Sequence, residues 1–212
     1  MRFLLLLLPL ALAAGALPTA AMDLLPQEHG LRYTGREGDT PVSVEITLRE
    51  RRNGALDYVH WVTPTGWRGW FGEPTVTRVR YRYGDERLEL AGFVENDVLR
   101  SPDIPRGTMP PGTLDSLGIR LRARADLARG TKNATYDVWH EGRLEKWVLR
   151  VAGPERVTTP DGTYDALRFR LGTESDWIEG WSVPLLLFHF ARIERWEDGR
   201  KVAELALEDK EL

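Results

Sequence analysis

The side chains best suited to chemistry in this sequence are four histidines, a short acidic cluster and a knot of aromatics in a loop. His29, His60, His140 and His189 stand far apart, none at the i, i+4 spacing that places two imidazoles on one helix face. There is no His-Glu-x-x-His, and the chain has no cysteine to complete a zinc set, so no metal site is predicted. His189, inside Leu187-Phe188-His189-Phe190, reads as a core histidine with its hydrogen bonds satisfied. Neither a Gly-x-Ser-x-Gly elbow nor a phosphate-cradling glycine loop occurs. Glu174, Asp176 and Glu179 crowd one segment beside Trp177 and could in principle form a carboxylate pair. In a chain that is 29% charged, a solvated loop is the better reading of them. No catalytic residue and no cofactor are expected, and a binding or structural role is.

The aromatics carry more information. Of eight tryptophans, Trp61, Trp139, Trp147 and Trp196 fall in strand-like runs that would pack them. Trp67, Trp70 and Phe71 instead lie in Thr63–Pro74, where two prolines and three glycines exclude regular structure. Such a loop is either folded back over the core or presents an apolar tip to a lipid, a glycan or another protein. These three residues are the candidate ligand- or partner-binding site.

The surrounding elements read as strands. Val42, Val44, Ile46 and Leu48 alternate with Ser43, Glu45, Thr47 and Arg49, the period-two pattern of a strand with one face on a core. Tight-turn signals at 53–54, 84–85, 141–142, 161–162 and 198–199 imply five hairpins. Residues 22–40 read as an irregular lead-in with a short strand near Leu31–Thr34, and Pro184–Trp196 as a strand whose first half is buried on both faces. In the hairpin at 161–162, Asp165, Leu167, Phe169 and Leu171 form one row and Tyr164, Ala166, Arg168 and Arg170 the other.

One amphipathic helix is predicted over about 114–129, with Thr113 as N-cap and Gly130 after its last turn. Leu114, Leu117, Leu121, Ala125 and Ala128 line one stripe. Arg120 and Arg124 border it on one side, Arg122 and Arg129 on the other. Their stems would pack at the rim with the heads in water, or the heads would meet an anionic headgroup or glycan. The predicted fold is mainly β: an antiparallel meander of about ten strands curled into a barrel or half-barrel, with this helix plugging a mouth or covering an open face.

Met1-Arg2, the apolar run Phe3–Ala16 and the small residues Thr19-Ala20-Ala21 have the layout of a secretory signal, with cleavage expected after Ala21. The mature chain would be a single β-rich domain over 22–212, periplasmic and not membrane-spanning. Without cysteines it has no disulfides, and a core of roughly this size buries about 70% of its unfolded surface. The net charge of −3, with no long run of one sign, argues against nucleic acid as a partner.

Val157-Thr158-Thr159-Pro160-Asp161-Gly162-Thr163-Tyr164-Asp165-Ala166-Leu167-Arg168 resembles the central hairpin of the domain of unknown function 3108 family, exported bacterial proteins. Asp115-Ser116-Leu117, Trp181-Ser182-Val183-Pro184 and Ala203-Glu204-Leu205-Ala206-Leu207 are similar to further landmarks of that family. The likeness spreads over most of 31–209, more faintly in the first half. It implies a periplasmic, mostly β domain and brings no catalytic residues with it.

Two functions of different kinds follow: an envelope protein that binds or carries an apolar, lipid-like molecule, or an assembly factor that docks another envelope protein through the Trp67 loop or a sheet edge. A continuous apolar cavity would favour the first, and a filled core with an exposed aromatic tip the second.

Overall fold

The computed structural model describes residues 28–66, 72–84, 87–95, 98–100 and 112–212. These form one sheet of 13 strands wrapped around one helix. In chain order the strands are β1 (His29–Glu37), β2 (Thr40–Glu50), β3 (Leu56–Pro64), β4 (Thr75–Gly84), β5 (Arg87–Glu95), β6 (Val98–Arg100) and β7 (Leu114–Asp115). The helix α1 (Gly118–Ala128) follows, then β8 (Asn133–His140), β9 (Arg143–Thr159), β10 (Gly162–Gly172), β11 (Asp176–Val183), β12 (His189–Glu197) and β13 (Arg200–Glu211).

Their order in the sheet is β6-β5-β4-β3-β2-β1-β13-β12-β11-β10-β9-β8-β7. Strands consecutive in the chain are therefore paired, except β6 and β7, and the one pairing of strands distant in the chain is β1 with β13. All pairings are antiparallel but β7 with β8, where Leu114 faces Val138 and Asp115 faces Trp139 in parallel. The sheet does not close: β6 and β7 are its edges among the described residues. It is nonetheless strongly curled. The Tyr81 hydroxyl of β4 donates to Asp115 Oδ1 of β7 at 2.6 Å, although nine strands separate the two in the sheet order. At another point the β9–β10 tip folds against β13, where the Asp161 N–H donates to the Leu207 carbonyl at 3.2 Å and Lys210 pairs with Asp161. The predicted half-barrel is this arrangement.

Alternation places the core. Val42, Val44, Ile46 and Leu48 are all buried, and β1 adds Leu31 and Tyr33. Turn chemistry is equally direct at two hairpins. Glu141-Gly142 and Asp198-Gly199 each connect paired strand ends with both residues at positive φ, the twist-matched two-residue turn.

Several expectations need correction. The 22–40 region is not an irregular lead-in from His29 onward: β1 and β2 form a hairpin turning at Gly38, φ +55°. In the β9–β10 hairpin the turn is Pro160-Asp161, because Gly162 already pairs with Thr159. The row Asp165, Leu167, Phe169, Leu171 does not stay on one face. The pairing slips between Arg168 and Phe169, so Ala166 faces inward before the slip and Phe169 and Leu171 after it. Pro184–Phe188 is not strand but a 3-10 turn, Pro184–Leu186, ending in Leu187 and Phe188 at positive φ. Proline cannot donate to a ladder, and the doubly buried strand read from this apolar run is confined to His189–Glu197. Of the Glu174–Glu179 segment only Glu174 and Ser175 are an exposed turn, since Asp176–Val183 is a strand with a buried inner face.

The helix begins at Gly118, not near Leu114. Leu114 and Asp115 are spent on β7, and Asp115, rather than Thr113, receives the free N–H groups of the first turn: Gly118 N at 3.0 Å and Leu117 N at 3.3 Å. Nor is α1 buried along one stripe. Ile119, Leu121, Ala123, Arg124, Asp126 and Leu127 are all buried, which surrounds most of the helix circumference and leaves Arg122 as its exposed position. A helix inside a curled sheet meets protein on several sides, so a single apolar stripe is not required.

Candidate functional site

Helix α1 carries three arginines, with a fourth at its C-cap, and a single acid. Asp126 Oδ2 accepts from Arg122 Nε at 3.1 Å and from the Tyr136 hydroxyl at 2.9 Å, while Oδ1 accepts from Arg129 Nη1 at 3.1 Å. Arg122 and Arg129 thus sit at the rim with their heads near water, as expected. Arg120 and Arg124 do not. Four residues apart, they share the opposite side of the helix and point into the interior, where Arg124 is only 6% exposed.

The wall they face is built by β1, β2, β3 and β12. Alternation turns Tyr33, Tyr58 and His60 inward from β1 and β3, and β12 opens with His189 immediately after the 3-10 turn. Arg124 Nη1 lies 2.7 Å from Nε2 and 3.1 Å from Nδ1 of His189. The His189 ring meets that of His29 at 4.3 Å between centroids, and Tyr58 stands 5.3 Å from His60. Between helix and wall is a cavity of about 20 Å³, just above the roughly 10–15 Å³ that one water molecule needs. Its lining combines apolar Leu31, Ile46, Leu121, Phe190 and Ile193 with polar His29, Tyr58, Arg120, Arg124 and His189. No carboxylate is among the described residues that line it.

Burial dominates the electrostatics. It holds the imidazole of His60 well below its usual range, helped by the charge of Arg120. It does the same to His189, with Arg124 and then His29 adding to the effect. The Tyr33 and Tyr58 hydroxyls are pushed up for the same reason, so both stay protonated donors. Arg120 is lowered by burial and by Arg195, against which Tyr58, Tyr33 and Asp115 act only through space. Its Nε is enclosed and has no hydrogen-bond partner, and His60 Nε2 is in the same condition. The arrangement is one of inward-facing donors with few acceptors. It can hold an anion or a polar headgroup. It contains no nucleophile paired to a base.

The other predicted residues are placed as follows. Trp67, Trp70 and Phe71 lie outside the described residues. Asp176 and Glu179 are not a carboxylate pair: Glu179 accepts from Arg168 Nε at 2.6 Å, and Asp176 lies 3.4 Å from His140 and 3.6 Å from Arg195. Trp147 is buried, but Trp61 is not packed inside; it projects outward from β3, 46% exposed, because His60 takes the inward position beside it. Trp177 and Trp196 stack at 5.8 Å across β11 and β12, with the Arg170 guanidinium 3.7 Å over Trp177. Among the described residues no group of three His, Asp or Glu could hold a metal, and no helix is long and apolar enough to cross a membrane. Sequence reasoning placed Arg120 and Arg124 at the rim, or with their heads on an anionic headgroup or glycan, and not inside the sheet. The available signal was the count of one acid against four arginines around α1.

Residues 68–183, more than half of the chain, match the family described as protein of unknown function DUF3108. The chain belongs to this family. In the DUF3108 protein the matched span ends with β11 and contains α1 with Arg120 and Arg124. No curated protein matches. Among solved structures, the chain is similar to a β-barrel-like protein of the DUF1849 family from Brucella abortus, at 8% identity and a TM-score of 0.47, covering 87% of this chain and 97% of that one. It is also similar to MucB, at 12% identity and a TM-score of 0.39, covering 92% of this chain but only 59% of MucB. A third, from Bacteroides fragilis, is a protein described as exported with a YmcC-like fold, at 9% identity and a TM-score of 0.40, covering 87% and 95%.

Proposed function

We propose that the protein is a non-catalytic component of the cell envelope that holds an apolar, lipid-like ligand inside its curled sheet. The observation that carries this reading is the cavity between α1 and the wall of β1, β2, β3 and β12, whose lining combines apolar side chains with donors. An amphiphile offers the same two kinds of surface. The cavity as it stands admits about one water molecule, so an acyl chain enters only if α1 and the sheet move apart. The open sheet allows this: β6 and β7 share no ladder, and a side-chain bond, Tyr81 to Asp115, spans the gap near them. The signal-like residues 1–21 support export to the periplasm.

The small size of the cavity favours a second reading, a docking factor that contacts another envelope protein through Trp67, Trp70 and Phe71. Binding of amphiphiles separates the two. Twelve-carbon amphiphiles with anionic, neutral and cationic heads are titrated into the full mature chain and followed by calorimetry and tryptophan fluorescence. Saturable binding of one molecule per chain, with a Kd below about 100 μM, is the expected result. No binding by any of the three would remove the ligand reading and leave the docking one.

A further inference from the structure

Among the described residues no carboxylate forms an ion pair with Arg120. Its Nε is buried and makes no hydrogen bond. The acid on its helix, Asp126, is committed to Arg122, Arg129 and Tyr136 on another side. Asp115, whose charge also acts on Arg120, spends Oδ1 on Tyr81 and Gly118 and Oδ2 on Leu117. Arg124, one turn on, brings a second positive charge to the same cavity and binds His189. Beside them His60 Nε2 is also enclosed without a partner. Enclosing the Nε of a guanidinium with no partner is costly unless something negative completes it. A cavity lined by two guanidiniums, a tyrosine and imidazoles supplies the donors from which carboxylates and phosphates accept.

We propose that Arg120 and Arg124 form an internal anion site, with Tyr58 and His60 beside it, that takes the carboxylate or phosphate head of the ligand while the chain lies along Leu31, Ile46, Phe190 and Ile193. This rests on the ligand-binding reading above and gives it a class: anionic amphiphiles, in preference to neutral ones of equal chain length. Arg120 is the discriminating residue because no protein group satisfies its Nε.

The test compares dodecanoate, dodecyl phosphate and dodecanol, together with acetate and inorganic phosphate, on the mature chain and on Arg120→Gln. The wild type is expected to bind the two anionic amphiphiles at least about tenfold tighter than dodecanol, as charge-assisted pairing in a dry site implies. Arg120→Gln should lose that preference and keep the dodecanol affinity. If acetate or inorganic phosphate binds as tightly as its amphiphile, the ligand is a free anion and the assignment of a chain to the apolar wall falls. Equal binding of dodecanol and dodecanoate by the wild type overturns the anion site and leaves the ligand reading intact. Failure of all five overturns both. Should Arg120→Gln not fold, the Nε–H resonance of Arg120 in the wild type decides: a saturable shift on adding dodecanoate is expected, and no shift at saturation contradicts the proposal.

Discussion

Arg124 Nη1 stands 2.7 Å from Nε2 of His189, an arginine donating to an imidazole in a buried site. Such a bond needs the facing nitrogen unprotonated, so the fold holds His189 neutral. Burial is the larger cause and Arg124 the next. His60, buried and near Arg120, is held neutral likewise. In the unfolded chain both take up a proton below the ordinary histidine value near 6.5. The folded state binds fewer protons than the unfolded state in that window, so stability falls as pH falls from about 6.5. Each histidine contributes about 1.4 kcal/mol per pH unit, or roughly 2 kcal/mol between pH 6.5 and 5. Urea midpoints measured from pH 7 to 5 should drop accordingly, and His60→Gln should reduce the slope by about half. A midpoint flat over this range would show that the two rings are solvated.

Most of the sheet could be read from the sequence because its signals are local. Alternation at Val42–Leu48 and the turns Glu141-Gly142 and Asp198-Gly199 depend only on near neighbours. The errors arose where a distant contact decides. Leu114 and Asp115 leave the helix because β8 offers them a strand partner, and Leu167 yields its inward place to Phe169 because the pairing with β9 slips. The site was hidden for the same reason: nothing near Arg120 in sequence says that Tyr58 and His60 will enclose it.

Tyr81 and Asp115 join strands far apart in the sheet, and the Asp115 carboxyl is pushed up by burial while Tyr81 and the Gly118 and Leu117 N–H groups hold it down. Tyr81→Phe removes a bond to a buried carboxylate and should cost about 1.5–3 kcal/mol in urea unfolding. The same substitution should raise the titration midpoint of Asp115 in a carboxyl-carbon NMR titration. A stability change below about 0.5 kcal/mol would mean that the bond across the gap does not hold the curl.

Two glycines permit close approaches of different kinds. A Cβ on Gly35 would lie 1.9 Å from the Glu204 carbonyl oxygen, which belongs to the paired backbone of β13 and cannot turn aside. A Cβ on Gly180 would lie 2.3 Å from Cζ of the Phe169 ring, a side chain that can shift where backbone cannot. Gly180→Ala should therefore cost about 1–3 kcal/mol, the usual range for overpacking, and Gly35→Ala more. Denaturant midpoints in the reverse order would contradict the β1–β13 register, in which Gly35 faces Leu205.

The central claim is that the interior between α1 and the β1–β3 wall receives a ligand. The most direct measurement is native mass spectrometry of the protein released from its own cell envelope without detergent, before and after lipid extraction. A discrete mass beyond that of the polypeptide, removed by extraction and found in the extract as an anionic amphiphile, is the predicted result. A spectrum showing only the bare chain before extraction, from a preparation in which a known lipid carrier retains its lipid, would contradict it.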